Sequence, residues 1–154
     1  MSDPLALAAL LVFAGVGGWL CHIDIAEHRL PNAIVLPLAG GILALALAAS
    51  VAEGSPATLV RAAAGALALG GGYALLRVAS RGGLGGGDIK LALPTGAVLA
   101  WQGWPAFALG SALAFVVGSA WAAGLIATRR GSRDTRIAFG PCMILGACVG
   151  PALV

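Results

Sequence analysis

Apolar residues run along this chain in stretches long enough to cross a bilayer, and the polar residues between them come in short groups. A transmembrane helix takes about 20 consecutive apolar residues, and the pattern predicts three at roughly Pro4–Ile23, Ala33–Ala52 and Thr58–Ala79. A fourth apolar run, Ile89–Trp101, is shorter. At 1.5 Å per residue it reaches only about 20 Å, so that helix must draw on Gly82–Gly87 or stop below the membrane surface. Either way Asp88 falls near the membrane edge. Two further spans are predicted at about Pro105–Thr128 and Ile137–Val154. The expected architecture is an all-α bundle of six transmembrane helices, one membrane-embedded domain over residues 1–154. Met1–Leu20 has the length of a secretory signal, but it carries Asp3 instead of a basic start and further spans follow, so it reads as the first transmembrane helix.

Composition agrees with the pattern: 60% of the 154 residues are hydrophobic and 10% are charged, where a soluble domain carries roughly 25% charged residues. The 24 glycines and the few aromatics predict helices packed closely through small residues, as in lipid, where no hydrophobic effect drives helices together. A net charge of +3 could suggest nucleic acid in a soluble protein, but here the basic residues sit in short loops and report orientation. Six spans put loops 22–32, 80–88 and 129–136 on one side, which, counting flanks, holds Arg29, Arg77, Arg81, Lys90, Arg129, Arg130, Arg133 and Arg136. The other side holds only Arg61. Cytoplasmic loops are the ones rich in Lys and Arg, so this bias predicts outside termini and both Asp24 and Asp88 at the cytoplasmic face. Trp101 and Trp104 flank the short outer loop, where an indole belt is expected. Cys21, Cys142 and Cys148 form no CxxC pair and read as small buried hydrophobes. His22 and His28 lack carboxylate or thiolate neighbours at metal spacing and read as interfacial, so no metal is expected; Glu27 and Arg29 read as a solvated loop face.

Three segments carry candidate chemistry. In Asp24-Ile25-Ala26-Glu27-His28-Arg29-Leu30-Pro31-Asn32 the chain leaves the first span with an acid and enters the second through Pro31, a residue tolerated in a first helical turn. In Gly82-Gly83-Leu84-Gly85-Gly86-Gly87-Asp88-Ile89-Lys90 a carboxylate follows glycines, Gly85 and Gly87 among them, whose backbone freedom permits close approach. Lys90 is on a different helix face from Asp88 and reads as reaching toward lipid headgroups. The third, Ile137-Ala138-Phe139-Gly140-Pro141, opens the last span. No Gly-Lys-Ser/Thr follows the glycines, which argues against a phosphate cradle. Gly146 and Gly150 form a GxxxG packing face. An ionisable residue beside hydrocarbon is unfavourable and marks a functional site, although Asp also caps helices. Two facing carboxylates share one proton and titrate as a unit. Such a pair can hydrolyse a peptide without a nucleophilic side chain or cofactor, one member drawing a proton from water and the other serving the carbonyl and the leaving amine.

These three ordered blocks resemble the type IV prepilin peptidases, membrane aspartyl proteases of the GxGD group: an aspartate followed by a Leu/Ile-Pro pair, the Gly85-Gly86-Gly87-Asp88-Ile89-Lys90 block, and a closing segment ending Phe139-Gly140-Pro141. The resemblance implies a prokaryotic plasma (inner) membrane enzyme that removes the basic leader of prepilin-like precursors at the cytoplasmic face. Asp24 and Asp88 would be its catalytic dyad, with Gly85, Gly87, Lys90, Pro31, Phe139, Gly140 and Pro141 shaping the site or binding substrate. No cofactor and no nucleic acid is implied, and no oligomeric state follows. Ala138 stands where the family usually has proline, which bears on the start of the last helix. Larger members add a cytoplasmic segment with paired CxxC motifs and also N-methylate the trimmed pilin; this sequence resembles a short, peptidase-only form. The alternatives are another GxGD protease, of preflagellin or presenilin type, and a small proton-coupled transporter with relay carboxylates. Transporters tend to show internal repeats and helices broken at mid-bilayer, whereas these acids lie near one face and no repeat is visible.

Overall fold

The computed structural model describes residues 4–27, 30–81, 84–128 and 139–154. They form six helices, α1 (Pro4–Glu27), α2 (Asn32–Ala52), α3 (Ala57–Ala79), α4 (Gly86–Gln102), α5 (Trp104–Ala127) and α6 (Gly140–Val149), with a closing 3₁₀ turn at Gly150–Leu153. The fold is all-α. Four of the helices, α1, α2, α3 and α5, are long and apolar enough to cross a membrane. The shorter α4 has 17 residues and α6 has 10.

The helix ends follow from local chemistry. Nothing in Asp24-Ile25-Ala26-Glu27 breaks a helix, so α1 continues past the expected Ile23 and carries Asp24 in its last turns. Pro31 disfavours helix in the residue before it and starts α2 instead: its carbonyl accepts the N–H groups of Ile34 and Val35, both at 3.1 Å. Of the two options for the fourth span, α4 takes the longer, drawing Gly86 and Gly87 into its first turn. The last helix is shorter than the expected Ile137–Val154. It begins at Gly140, with Pro141 in its first turn, where a missing N–H is harmless; Ile137 and Ala138 lie outside the described residues.

Helix α4 is short because it is interior. Eleven of its residues are buried, from Asp88 to Trp101, and it is covered by α2, α3, α5, α6 and α1. Its most extensive partner is α3. The two touch backbone to backbone where Gly65 meets Gly96, and a Cβ on either glycine would strike the other's carbonyl. The expected GxxxG face of α6 packs on α5 in the same way, with Gly146 and Gly150 against Gly110. Trp104 is 51% exposed, as a membrane-belt residue should be, but Trp101 is only 3% exposed. It belongs to the core cluster, not to a belt, because it sits on the interior helix.

Candidate active site

Asp24 and Asp88 reach the same end of the bundle from opposite chain directions, one at the C-terminal end of α1 and the other at the N-terminal end of α4. Both are buried, at 6% and 9% exposure. Each carboxylate accepts a hydrogen bond from a glycine N–H: Gly85 to Asp88 Oδ2 at 3.1 Å, and Gly140 to Asp24 Oδ2 at 3.1 Å. The two bonds differ in origin.

Asp88 is the third residue of α4 and bends back to the residue before the helix, half of a capping box whose other half glycine cannot supply. That is a local cap. Asp24 has no such explanation, since an acid in a helix's last turns opposes that helix's own dipole. Instead it serves the first N–H of α6, 116 residues away in sequence, one of the orphan donors that a helix start leaves unpaired.

The three sequence blocks meet around these acids. A Cβ on Gly140 would lie 2.7 Å from Asp24 Oδ2 and 3.5 Å from Leu91 Cδ2, so the start of α6 is wedged between Asp24 and the helix that carries Asp88. Leu30, buried beside Pro31, packs on Gly87, where a Cβ would come within 3.1 Å of its side chain. Lys90 Nζ donates to Asn32 Oδ1 at 2.6 Å, joining the start of α4 to the start of α2 rather than reaching to headgroups. Phe139 is held by Tyr73 and Phe115, with ring centroids 6.0 and 5.6 Å away, and its ring lies over Gly118. Pro31 and Pro141 shape helix starts.

Two residues here went unread in the sequence as parts of a site. Arg77, counted only as a topology charge, donates from Nη1 to the Leu84 carbonyl at 2.7 Å and attracts the charge on Asp88. Tyr73, one turn earlier on the same face of α3, is buried and packs its ring against Phe115 and Phe139. Their spacing of four places both on the side of α3 that faces α4, a signal readable only once that side is known. His22 is exposed, and His28 lies outside the described residues. Among the described residues no group of three His, Cys, Asp or Glu side chains gathers as a metal site.

Residues 9–123 match the type IV leader peptidase family. The chain belongs to that family. It is 36% identical over 145 residues to a prepilin leader peptidase/N-methyltransferase of Aeromonas salmonicida, covering 93% of this chain and 48% of that protein. A protein of the same description from Aeromonas hydrophila gives the same identity and coverage, 36%, 93% and 48%. One from Dickeya chrysanthemi is 35% identical over 156 residues, covering 97% of this chain and 52% of its own length. The chain thus spans about half the length of the curated relatives it matches. No solved structure gives a significant match. Family and fold together make this a multi-pass membrane protein.

Proposed function

We propose that the protein is an aspartic-type endopeptidase that cuts the leader from type IV prepilin-like precursors at the cytoplasmic face, with Asp24 and Asp88 as its dyad. The observation that carries this reading is that two buried acids from separate helices stand at one end of the bundle, each accepting the N–H of a glycine from a family-like motif. A cap within its own helix explains Asp88 alone; Asp24 satisfies an orphan donor of α6 only because the fold brings the end of α1 to that distant helix start.

The chemistry follows from the pair. Like charges held together cannot both ionise freely, so the ionised member takes a proton from water as the oxygen adds to the scissile carbonyl. The protonated member hydrogen-bonds the carbonyl oxygen and then gives its proton to the leaving nitrogen as the C–N bond breaks. Both acids sit near helix ends rather than at the mid-span position that a relay through the bilayer would require. Of the two activities for which the relatives are named, the peptidase is the one an acid pair would serve.

The substrate has matching chemistry: a hydrophilic basic leader, then an apolar helix that can lie against the bundle in lipid. The test is reconstitution of the protein in liposomes with such a precursor, followed by a gel shift and N-terminal sequencing of the product. A single cut that separates leader from helix is expected. Failure to cut any precursor of this kind, or cuts scattered through the leader, would contradict the proposal.

A further inference from the structure

We propose that Arg77 is a positioning residue that orients the Asp88 carboxylate through a single peptide group, the one joining Leu84 to Gly85. As a role in the reaction this rests on the dyad reading above; as a structural clamp it does not. The Leu84 carbonyl accepts from Arg77 Nη1 at 2.7 Å, and the Gly85 N–H donates to Asp88 Oδ2 at 3.1 Å. These two groups belong to one peptide unit. No cis bond occurs in the described backbone, so the unit is planar with its C=O and N–H pointing in opposite directions. Arginine therefore grips one side of a rigid plate while the aspartate is held on the other. Turning the plate turns the carboxylate.

The base of the clamp is firm. Arg77 lies in the last turn of α3, the helix that touches α4 backbone to backbone through Gly65 and Gly96. Gly70, one turn before Tyr73 on that face, lies under Leu93 of α4. The grip itself is a short hydrogen bond from a charged donor, of the kind roughly twice as strong as a neutral one, and bonds in a chain polarise one another. Glycine follows the gripped carbonyl, and Arg77 Nη1 lies 3.5 Å from the place a Cβ would occupy on Gly86. The guanidinium thus lies along the turn that delivers Asp88.

A simpler role for Arg77 is charge at a helix C-terminus and on a cytoplasmic flank. Arg81 separates the two. It is exposed and carries the same charge on the same flank, so Arg77→Gln and Arg81→Gln remove equal charge while only the first removes the bond to Leu84.

The experiment has two arms on the full-length protein in liposomes. In the first, cleavage of a prepilin-like precursor is measured for both variants and for Arg77→Lys. Arg77→Gln is expected to lower kcat roughly tenfold or more with KM little changed, since a misplacement of about 1 Å can cost about 100-fold. Arg77→Lys should recover part of the loss and Arg81→Gln should match the parent. Equal rates for Arg77→Gln and the parent, or equal losses in Arg77→Gln and Arg81→Gln, would overturn the proposal. In the second arm, amide hydrogen exchange at Gly85 is expected to quicken in Arg77→Gln and not in Arg81→Gln. This arm needs no turnover. A preparation that cleaves nothing therefore counts against the dyad reading, while unchanged exchange at Gly85 overturns the clamp itself.

Discussion

Hydrogen is the only side chain that leaves room for the carboxylates at Gly85 and Gly140. A Cβ there would stand 2.8 Å from Asp88 Oδ2 and 2.7 Å from Asp24 Oδ2. The obstructed atom is in each case the tip of a side chain, so the fold can yield by turning the carboxylate away. That response spares stability and loses the aim of the acid. Gly85→Ala and Gly140→Ala are therefore expected to lower cleavage roughly tenfold or more at near-parental abundance, measured as rate per folded molecule. Gly86→Ala, which meets only Arg77 Nη1 at an ordinary 3.5 Å, should act far less. The GxGD spacing pointed to Gly85, but for a different reason. Backbone freedom was expected to matter, yet Gly85 has φ −65° and ψ 142°, open to any residue. The reason for glycine is the carboxylate folded back over it, a contact between residues three apart that no single-residue preference encodes.

Among the helices, hydropathy marks those that face lipid better than those that do not. α1, α2, α3 and α5 were legible as full spans because lipid requires unbroken apolar length. α4 is enclosed by the others, so it tolerates the buried Asp88, and its sequence reads as an incomplete span. The same enclosure explains Trp101, which pattern alone assigns to the membrane edge. The abundance of glycine announced close packing, but not which glycines touch. Gly65 and Gly96 do; Gly71, on the same α3, has nothing within 4 Å of a Cβ. Overpacking a core costs roughly 1–3 kcal/mol, and against rigid backbone the upper end is expected. Gly96→Ala should thus clearly lower the melting temperature in detergent, whereas Gly71→Ala should leave it unchanged or raise it, since alanine is the better helix former.

For the whole molecule, the alternation of six helices brings the C-terminal ends of α1 and α3 together with the N-terminal ends of α2, α4 and α6, the end that holds both acids. Which end faces the cytoplasm is a matter of charge. The eight-to-one bias of basic residues was fully visible in the sequence, although loop 129–136, which holds four of them, lies outside the described residues. With Cys21, Cys142 and Cys148 replaced, a single cysteine at Glu27 or in loop 129–136 should react with an impermeant maleimide only from the cytoplasmic side, and one at Gly54 only from the outside. The reverse labelling would contradict cytoplasmic cleavage. The convergence of the three motifs was not visible, because Asp24 meets Gly140 across 116 residues and nothing local encodes that contact.

The most direct measurement is cleavage of a prepilin-like precursor by Asp24→Asn and Asp88→Asn. Asparagine keeps size and can still accept from Gly140 or Gly85, so the fold should survive while proton transfer cannot. Each variant is expected to insert and melt like the parent and to lose at least about 100-fold in cleavage rate, the lower range for removing an essential acid or base. Parental cleavage by either single variant, in a preparation where the unaltered protein cuts at the leader, would contradict the dyad.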